Sequence, residues 1–226
     1  MRTLAIGDIH GCYRSLTSLA EFVPFKDEDT LITLGDYVNR GPDSYSVIEW
    51  LIERERIGRV ILLRGNHEIM MCQAKRDAEE MREWLDNGGD TTLASYSVAG
   101  FSHFDEIPQG HWDFLENSLL PFFEIDTHFF VHANAYPDFP IDDQPEYMLY
   151  WESFGEPAAH DSGKIMVCGH TPQKSGQPLN VGHAVCIDTW AQGDGWLTCL
   201  DVKSGRYWQA NEKGEARSDW LTEPAN

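Results

Sequence analysis

Along the first third of the chain, short apolar runs closed by glycine and aspartate alternate with stretches of helical spacing. Residues 3–9 form such a run, too short for a helix, and read as a buried strand. Residues 13–22 carry apolar side chains at helical spacing, residues 29–34 repeat the strand pattern, and residues 44 to about 56 form an amphipathic helix. Pro42-Asp43-Ser44 supplies that helix with an N-cap, Asp43 or Ser44, whose side-chain oxygen can accept a free first-turn N–H. Residues 59–63 make a third strand. This βαβαβ order predicts parallel strands covered by helices.

From about residue 68 to 118 the pattern turns helical. Residues 77–86 are charge-rich and run into Gly88-Gly89, which reads as a C-terminal stop, and residues 109–118 form another short helix. The region is expected to be a helical cap or insertion within a single domain spanning residues 1–226. The last part is strand-rich, at residues 122–125, 127–132, 164–168, 184–189, 196–202 and 206–210. Turns such as Gly193-Asp194-Gly195 and Lys203-Ser204-Gly205 join the final three, which predicts an antiparallel meander. Residues 135–144, rich in proline and aspartate, must be a loop, and the polar tail from Glu212 is expected to fray. One sheet beginning parallel, one ending antiparallel and helices outside make an α/β sandwich.

Composition narrows the function. The 226 residues hold 17 Lys+Arg against 37 Asp+Glu, a formal net charge of −20. Such an acidic surface repels phosphate backbones, so no nucleic-acid partner is expected, and a phosphorylated substrate must be drawn in by local positive charge. No apolar run approaches the roughly 18 residues of a membrane span, and the N-terminus shows no signal pattern, so no membrane partner is expected. The five cysteines, Cys12, Cys72, Cys168, Cys186 and Cys199, are odd in number and widely spaced. They read as reduced thiols of a cytoplasmic protein rather than a disulfide framework.

The chemistry collects where apolar strands end. The first gives Asp8 and His10, the second Asp36, the third Asn66 and His67, and later strands His132 and His170. In open α/β sheets, ligands bind outside the carboxyl ends of the strands. Asp8 and His10, two residues apart, are expected to leave one face of the strand end together. Oxygen and imidazole donors suit Mn, Fe or Zn better than Ca or Mg alone. Singly, each such residue is an ordinary turn, cap or core side chain; five matched strand ends are not.

In order along the chain, Gly-Asp-Ile-His-Gly (7–11), Gly-Asp-Tyr-Val-Asn-Arg-Gly (35–41), Leu-Arg-Gly-Asn-His-Glu (63–68), Val-His-Ala (131–133) and Gly-His-Thr-Pro (169–172) resemble the calcineurin-like metallophosphoesterases. Within that family the chain looks most like the bacterial serine/threonine protein phosphatases. The resemblance implies a β-sandwich of two mixed sheets flanked by helices. It implies two divalent ions, manganese first with iron or zinc as alternatives. Asp8, His10 and Asp36 would hold one, and Asp36, Asn66, His132 and His170 the other. The ions would activate water for in-line attack on phosphorus. His67 would protonate the leaving oxygen, and Arg40 would hold the phosphate bidentately. Arg64 is a second phosphate-binding candidate, or equally a structural residue.

Two departures bear on substrate. The family usually has Asp-Arg-Gly where this chain has Asn39-Arg40-Gly41. Asn39 can still accept a hydrogen bond from the catalytic imidazole but brings no charge, so His67 is expected to be a poorer general acid, favouring aryl phosphates, phosphotyrosine or polyphosphates. Bacterial relatives often carry a second arginine where this chain reads Trp151-Glu152-Ser153, with Lys174 as a possible substitute. The expected activity is therefore a two-metal phosphoric monoester hydrolase, a protein phosphatase acting on phosphoserine/threonine or phosphotyrosine, with a phosphorylated protein or small phosphoester as partner. Dinucleoside tetraphosphate hydrolysis is the alternative, suggested by Asn39 but countered by Glu68 and Thr171-Pro172. A metal-binding module without turnover is a third.

Overall fold

The computed structural model describes residues 2–58 and 60–223. Chain order begins β1 (Thr3–Ile6), α1 (Tyr13–Phe22), β2 (Thr30–Thr33), α2 (Ser44–Ile57), β3 (Val60–Leu62). The first residue of the third expected strand, Arg59, lies outside the described residues. Asp43 is the cap of α2, its Oδ1 accepting the Ser46 N–H at 3.0 Å. Strands β1, β2 and β3 pair in parallel, as the βαβαβ order requires.

Four helices follow: α3 (Asn66–Gln73), α4 (Ala78–Trp84), α5 (Asp90–Val98) and α6 (Gln109–Asp113). Gly88-Gly89 ends the helix as expected: Asn87 (φ −95°, ψ 17°) and Gly88 leave helical geometry. The turn Leu85–Gly89 is kinked there, with Gly88 at φ 93°, and α5 starts afresh at Asp90. The rest comprises β4 (Phe122–Glu124), β5 (His128–Val131), α7 (Glu146–Tyr150), β6 (Ile165–Cys168), β7 (Leu179–Asn180), β8 (Ala184–Cys186), β9 (Leu197–Asp201), β10 (Arg206–Ala210) and β11 (Ala216–Trp220).

The strands form two mixed sheets, ordered β11-β10-β9-β1-β2-β3 and β4-β5-β6-β8-β7. Alternation along each strand builds three layers of core. On β1, Ala5 faces the second sheet while Leu4 and Ile6 pack under the helices; on β5, Phe130 faces inward while Phe129 and Val131 pack outward. Ala5, Ile32, Leu34, Phe130, Val167, Val185, Ile187 and Leu200 fill the space between the sheets. Buried on both faces, these strands read as continuous apolar runs.

Two expectations fail here. Residues 184–189 do not join the meander: β8 pairs with β6 in the second sheet, and the link through Gly193-Asp194-Gly195 crosses between sheets. The tail does not fray at Glu212. It turns at Gly214 and returns as β11, whose Ala216–Trp220 pair antiparallel with β10. Polar alternation in an exposed edge strand hid it, and Glu212 itself accepts the Ser15 N–H at 2.8 Å. No helix among the described residues is long and apolar enough to cross a membrane, and all five cysteines are free thiols.

Candidate metal centre

Strands β1, β2, β3, β5, β6 and β8 run the same way within their sheets, and each delivers polar residues just past its C-terminal end. The delivery is through strained turns rather than through the strands. Among the described residues, six non-glycine residues have positive φ, and five are expected site residues: His10 (46°), Asp36 (52°), Asn39 (71°), Arg40 (69°) and His170 (64°). Side chains rarely adopt this region, and it persists only where surrounding contacts over-determine it. Hence Asp8 and His10 reach the centre from the turn after β1 rather than from the strand itself. β1 ends at Ile6; Asp8 lies against the His170 N–H, and His10 sets Nδ1 on Val38 O with Nε2 toward Asp36.

Glu68 supplies much of the restraint. From the first turn of α3 its carboxylate accepts N–H groups from Gly65 (2.9 Å), Asp36 (2.9 Å), Tyr37 (2.7 Å) and Val38 (3.3 Å). Gly65 has no room for a side chain: a Cβ there would stand 2.2 Å from Asp36 Oδ1.

Asp36 is the hub. Its Oδ2 lies 3.4 Å from His10 Nε2 and 3.9 Å from His67 Nε2, and its Oδ1 lies 3.5 Å from His132 Nε2. Asn66 Oδ1 is 3.0 Å from His132 Nε2 and 3.1 Å from His170 Nδ1. Two overlapping groups with metal-ligand spacing result, His10–Asp36–His67 and Asp36–His132–His170.

Hydrogen-bond polarity separates ligands from a donor. His10 Nδ1 and His132 Nδ1 face the carbonyls of Val38 (2.9 Å) and Leu34 (2.8 Å), and His170 Nε2 faces Trp151 O (3.2 Å). Each of those nitrogens must carry the proton, so the opposite nitrogen of each ring turns a lone pair inward. There the lone pairs meet the oxygens of Asp36 and Asn66, which are acceptors too. His132 Nε2 and Asp36 Oδ1, acceptors 3.5 Å apart with no hydrogen between them, are what a cation satisfies. Burial keeps the rings neutral and available, lowering His132 to about 4 and His170 to about 3.

The carboxylates agree. Burial pushes Asp36 up to about 7, and Asp8 is raised by burial and then by the negative charges of Asp188 and Asp36. Asp188, raised to about 7 chiefly by burial, keeps Oδ2 buried with no partner. A crowded, desolvated negative site with an orphaned oxygen fits bound divalent cations.

His67 is different. Its Nδ1 lies 2.7 Å from Asn39 Nδ2, and Asn39 Oδ1 already accepts from Trp84 Nε1 (2.9 Å) and Thr92 Oγ1 (3.0 Å). The indole can only donate, so Asn39 must donate to His67. This reverses the expected polarity, in which Asn39 would accept. His67 therefore carries its proton on Nε2, facing the centre, and that nitrogen has no lone pair for an ion.

Of the remaining site residues, Asp8 sits against the His170 N–H through both oxygens (3.1 and 3.0 Å). Arg40 reaches in, its Nη1 3.1 Å from His10 Nε2. Arg64 is placed elsewhere: its guanidinium donates to the carbonyls of Leu115 (3.3 Å) and Glu116 (3.0 Å), bracing the turn after α6. Lys174 stacks over Trp190 rather than standing free, its Nζ 5.5 Å from the ring centroid. Glu152 lies close enough to His170 to favour that ring's charged form. Sequence reasoning missed Asp188, Trp84 and Thr92. Asp188 obeys the same rule as the others, an aspartate after the apolar run of β8; Trp84 and Thr92 lie on helices and gave no such signal.

The chain belongs to the calcineurin-like phosphoesterase family, whose profile matches residues 1–198. It is 32% identical to serine/threonine-protein phosphatase 1 of Salmonella typhimurium, over 88% of this chain and 90% of that protein. It is also 32% identical to the symmetrical bis(5'-nucleosyl)-tetraphosphatase of Photorhabdus laumondii, over 62% of this chain but only 55% of that protein. Several tetraphosphatases it matches are thus spanned for about half their length or less. Among solved structures, one provisionally assigned as a diadenosine tetraphosphatase superposes with a TM-score of 0.65 at 23% identity, covering 97% of this chain and 93% of the other. A cold-active protein-tyrosine phosphatase of Shewanella gives 0.62 at 16%, covering 96% and 80%.

Proposed function

We propose that this chain is a phosphoester hydrolase that uses two divalent ions and acts on phosphorylated protein, at phosphoserine, phosphothreonine or phosphotyrosine. The observation that carries the reading is the crowding of inward imidazole lone pairs around the buried Asp36 carboxylate, beside one imidazole that turns an N–H to the centre. Asp8, His10 and Asp36 would hold one ion and Asp36, Asn66, His132 and His170 the other, with manganese the first metal to test. Bound there, the ions would supply Lewis acidity toward the phosphoryl oxygens and toward the attacking water.

The chain's own residues do the rest. Arg40 donates to the phosphoryl oxygens as a planar fork. His67 donates Nε2–H to the leaving oxygen, and Asn39 holds the ring from behind. Glu68 fixes the turn that carries Asp36. The helices of residues 66–118 act as a cap within one domain, since Trp84, Gly88 and Thr92 grip the loop of Asn39 and Arg40.

The full-length similarity to a protein phosphatase supports the protein substrate. A second reading, dinucleoside tetraphosphate hydrolysis, is supported by the uncharged Asn39 and by the tetraphosphatases among the relatives. The discriminating experiment offers metal-stripped protein, reloaded with Mn, a panel of phosphoserine and phosphotyrosine peptides, p-nitrophenyl phosphate, its bis ester and diadenosine tetraphosphate. Metal-dependent phosphate release from the peptides is expected. Turnover of the tetraphosphate alone would establish the second reading, and silence on every substrate despite bound metal would leave a binding module.

A further inference from the structure

We propose that Trp84, assisted by Thr92, is a positioning residue that locks the Asn39 amide so that His67 is held as the neutral ring protonated on Nε2. The hydrogen bonds stand on geometry alone; their consequence for substrate rests on the hydrolase reading above.

Asparagine's two ends look alike in shape, and only neighbours decide which faces where. Here the choice is forced. Trp84 is fully buried, and its Nε1–H can only donate, at 2.9 Å to Asn39 Oδ1. Thr92 Oγ1, 3.0 Å from the same oxygen, also takes the Asn39 backbone N–H at 2.9 Å. Turning the amide over would set Nδ2 against the indole N–H. The NH2 group is thereby committed to His67 Nδ1 at 2.7 Å. The wide turn after α4 makes this possible: a Cβ on Gly89 would stand 2.5 Å from the Trp84 ring, and Gly88 O takes the Arg40 N–H at 3.2 Å. One helical segment thus sets both the amide behind His67 and the backbone of the arginine beside it.

A ring so held can hydrogen-bond the leaving oxygen but cannot release its proton without becoming an anion. As the water oxygen–phosphorus bond forms and the bond to the leaving group breaks, the leaving oxygen departs as an anion bonded to Nε2–H. The proton of the attacking water passes to solvent. Aryl phosphates, phosphotyrosine among them, and phosphoanhydrides, whose leaving oxygens are stable anions, are turned over faster at this site than alkyl phosphates such as phosphoserine.

The test has two arms. In metal-free protein, 15N NMR of the His67 ring, identified by its loss in His67→Asn, reads the tautomer with no turnover involved. Unprotonated Nδ1 and protonated Nε2 are expected, with a mixture of tautomers in Trp84→Phe, which keeps the ring and removes the donor. In Mn-loaded protein, Trp84→Phe should lower kcat on p-nitrophenyl phosphate about 3–10-fold with KM little changed, as loss of one orienting hydrogen bond implies. Asn39→Asp, which can accept from His67 Nδ1–H while still accepting from Trp84, should raise the ratio of phosphoserine to p-nitrophenyl phosphate turnover about tenfold or more. A wild-type ring protonated on Nδ1 would overturn the proposal, as would a Trp84→Phe protein with an unaltered tautomer or an unaltered ratio in Asn39→Asp. If no substrate is turned over at all, the hydrolase reading falls while the NMR arm still decides the tautomer.

Discussion

Each side chain at the centre can be sorted by what the far side of its ring or carboxylate touches. His10, His132 and His170 give a proton to a backbone carbonyl and keep a lone pair for the centre; His67 does the reverse. The residue types and their order were legible in the sequence, because strand ends advertise polar residues after apolar runs. The polarity of His67 was not legible, because it depends on Trp84, 45 positions from Asn39 in the chain. Close packing makes a further residue diagnostic. A Cβ on Gly169 would stand 1.9 Å from Asp8 Oδ1. Gly169→Ala is expected to cost about 1–3 kcal/mol of stability, the usual range for overpacking, and to weaken metal affinity by displacing Asp8. Denaturant midpoints and metal titration check both, and unchanged affinity would mean that Asp8 is not a ligand.

At the level of elements, the helices and parallel strands followed local rules. The bounds of α1 are those the periodicity predicts, residues 13–22, and Asp43 caps α2 as its position implies. Asp43→Ala should destabilise the protein by about 1 kcal/mol through loss of that cap, and Asp43→Asn should be nearly neutral; equal losses would assign the cost to something other than the cap. Failures came where an element depends on its neighbours. β11 is exposed, polar and held by pairing to β10, so no hydrophobic alternation marks it. By contrast the stop at Gly88-Gly89 was legible locally, since Gly88 takes the φ of 93° that glycine allows.

For the whole molecule, a net charge of −20 surrounds a centre that must receive an anion. Charge at that density repels phosphorylated substrates over a Debye length of about 10 Å at 0.1 M salt. The value of kcat/KM for an anionic phosphoester should therefore rise as salt is raised from roughly 10 mM to 150 mM; a fall would mean that local positive charge dominates encounter. Assignment of strands to sheets was the least legible feature at this scale. The pairing of β8 with β6 rather than β9 is decided by the sandwich, where Val185 joins the core between the sheets, and not by the turn residues Gly193-Asp194-Gly195.

The most direct measurement is metal binding followed together with turnover. Stripped protein would be titrated with Mn by calorimetry while p-nitrophenyl phosphate hydrolysis is read on the same samples, alongside Asp36→Asn. Two ions per wild-type chain are expected, with activity appearing as the second site fills, and Asp36→Asn should lose both tight sites and turnover. No binding, or full activity with Asp36 replaced, would contradict a centre built around that carboxylate.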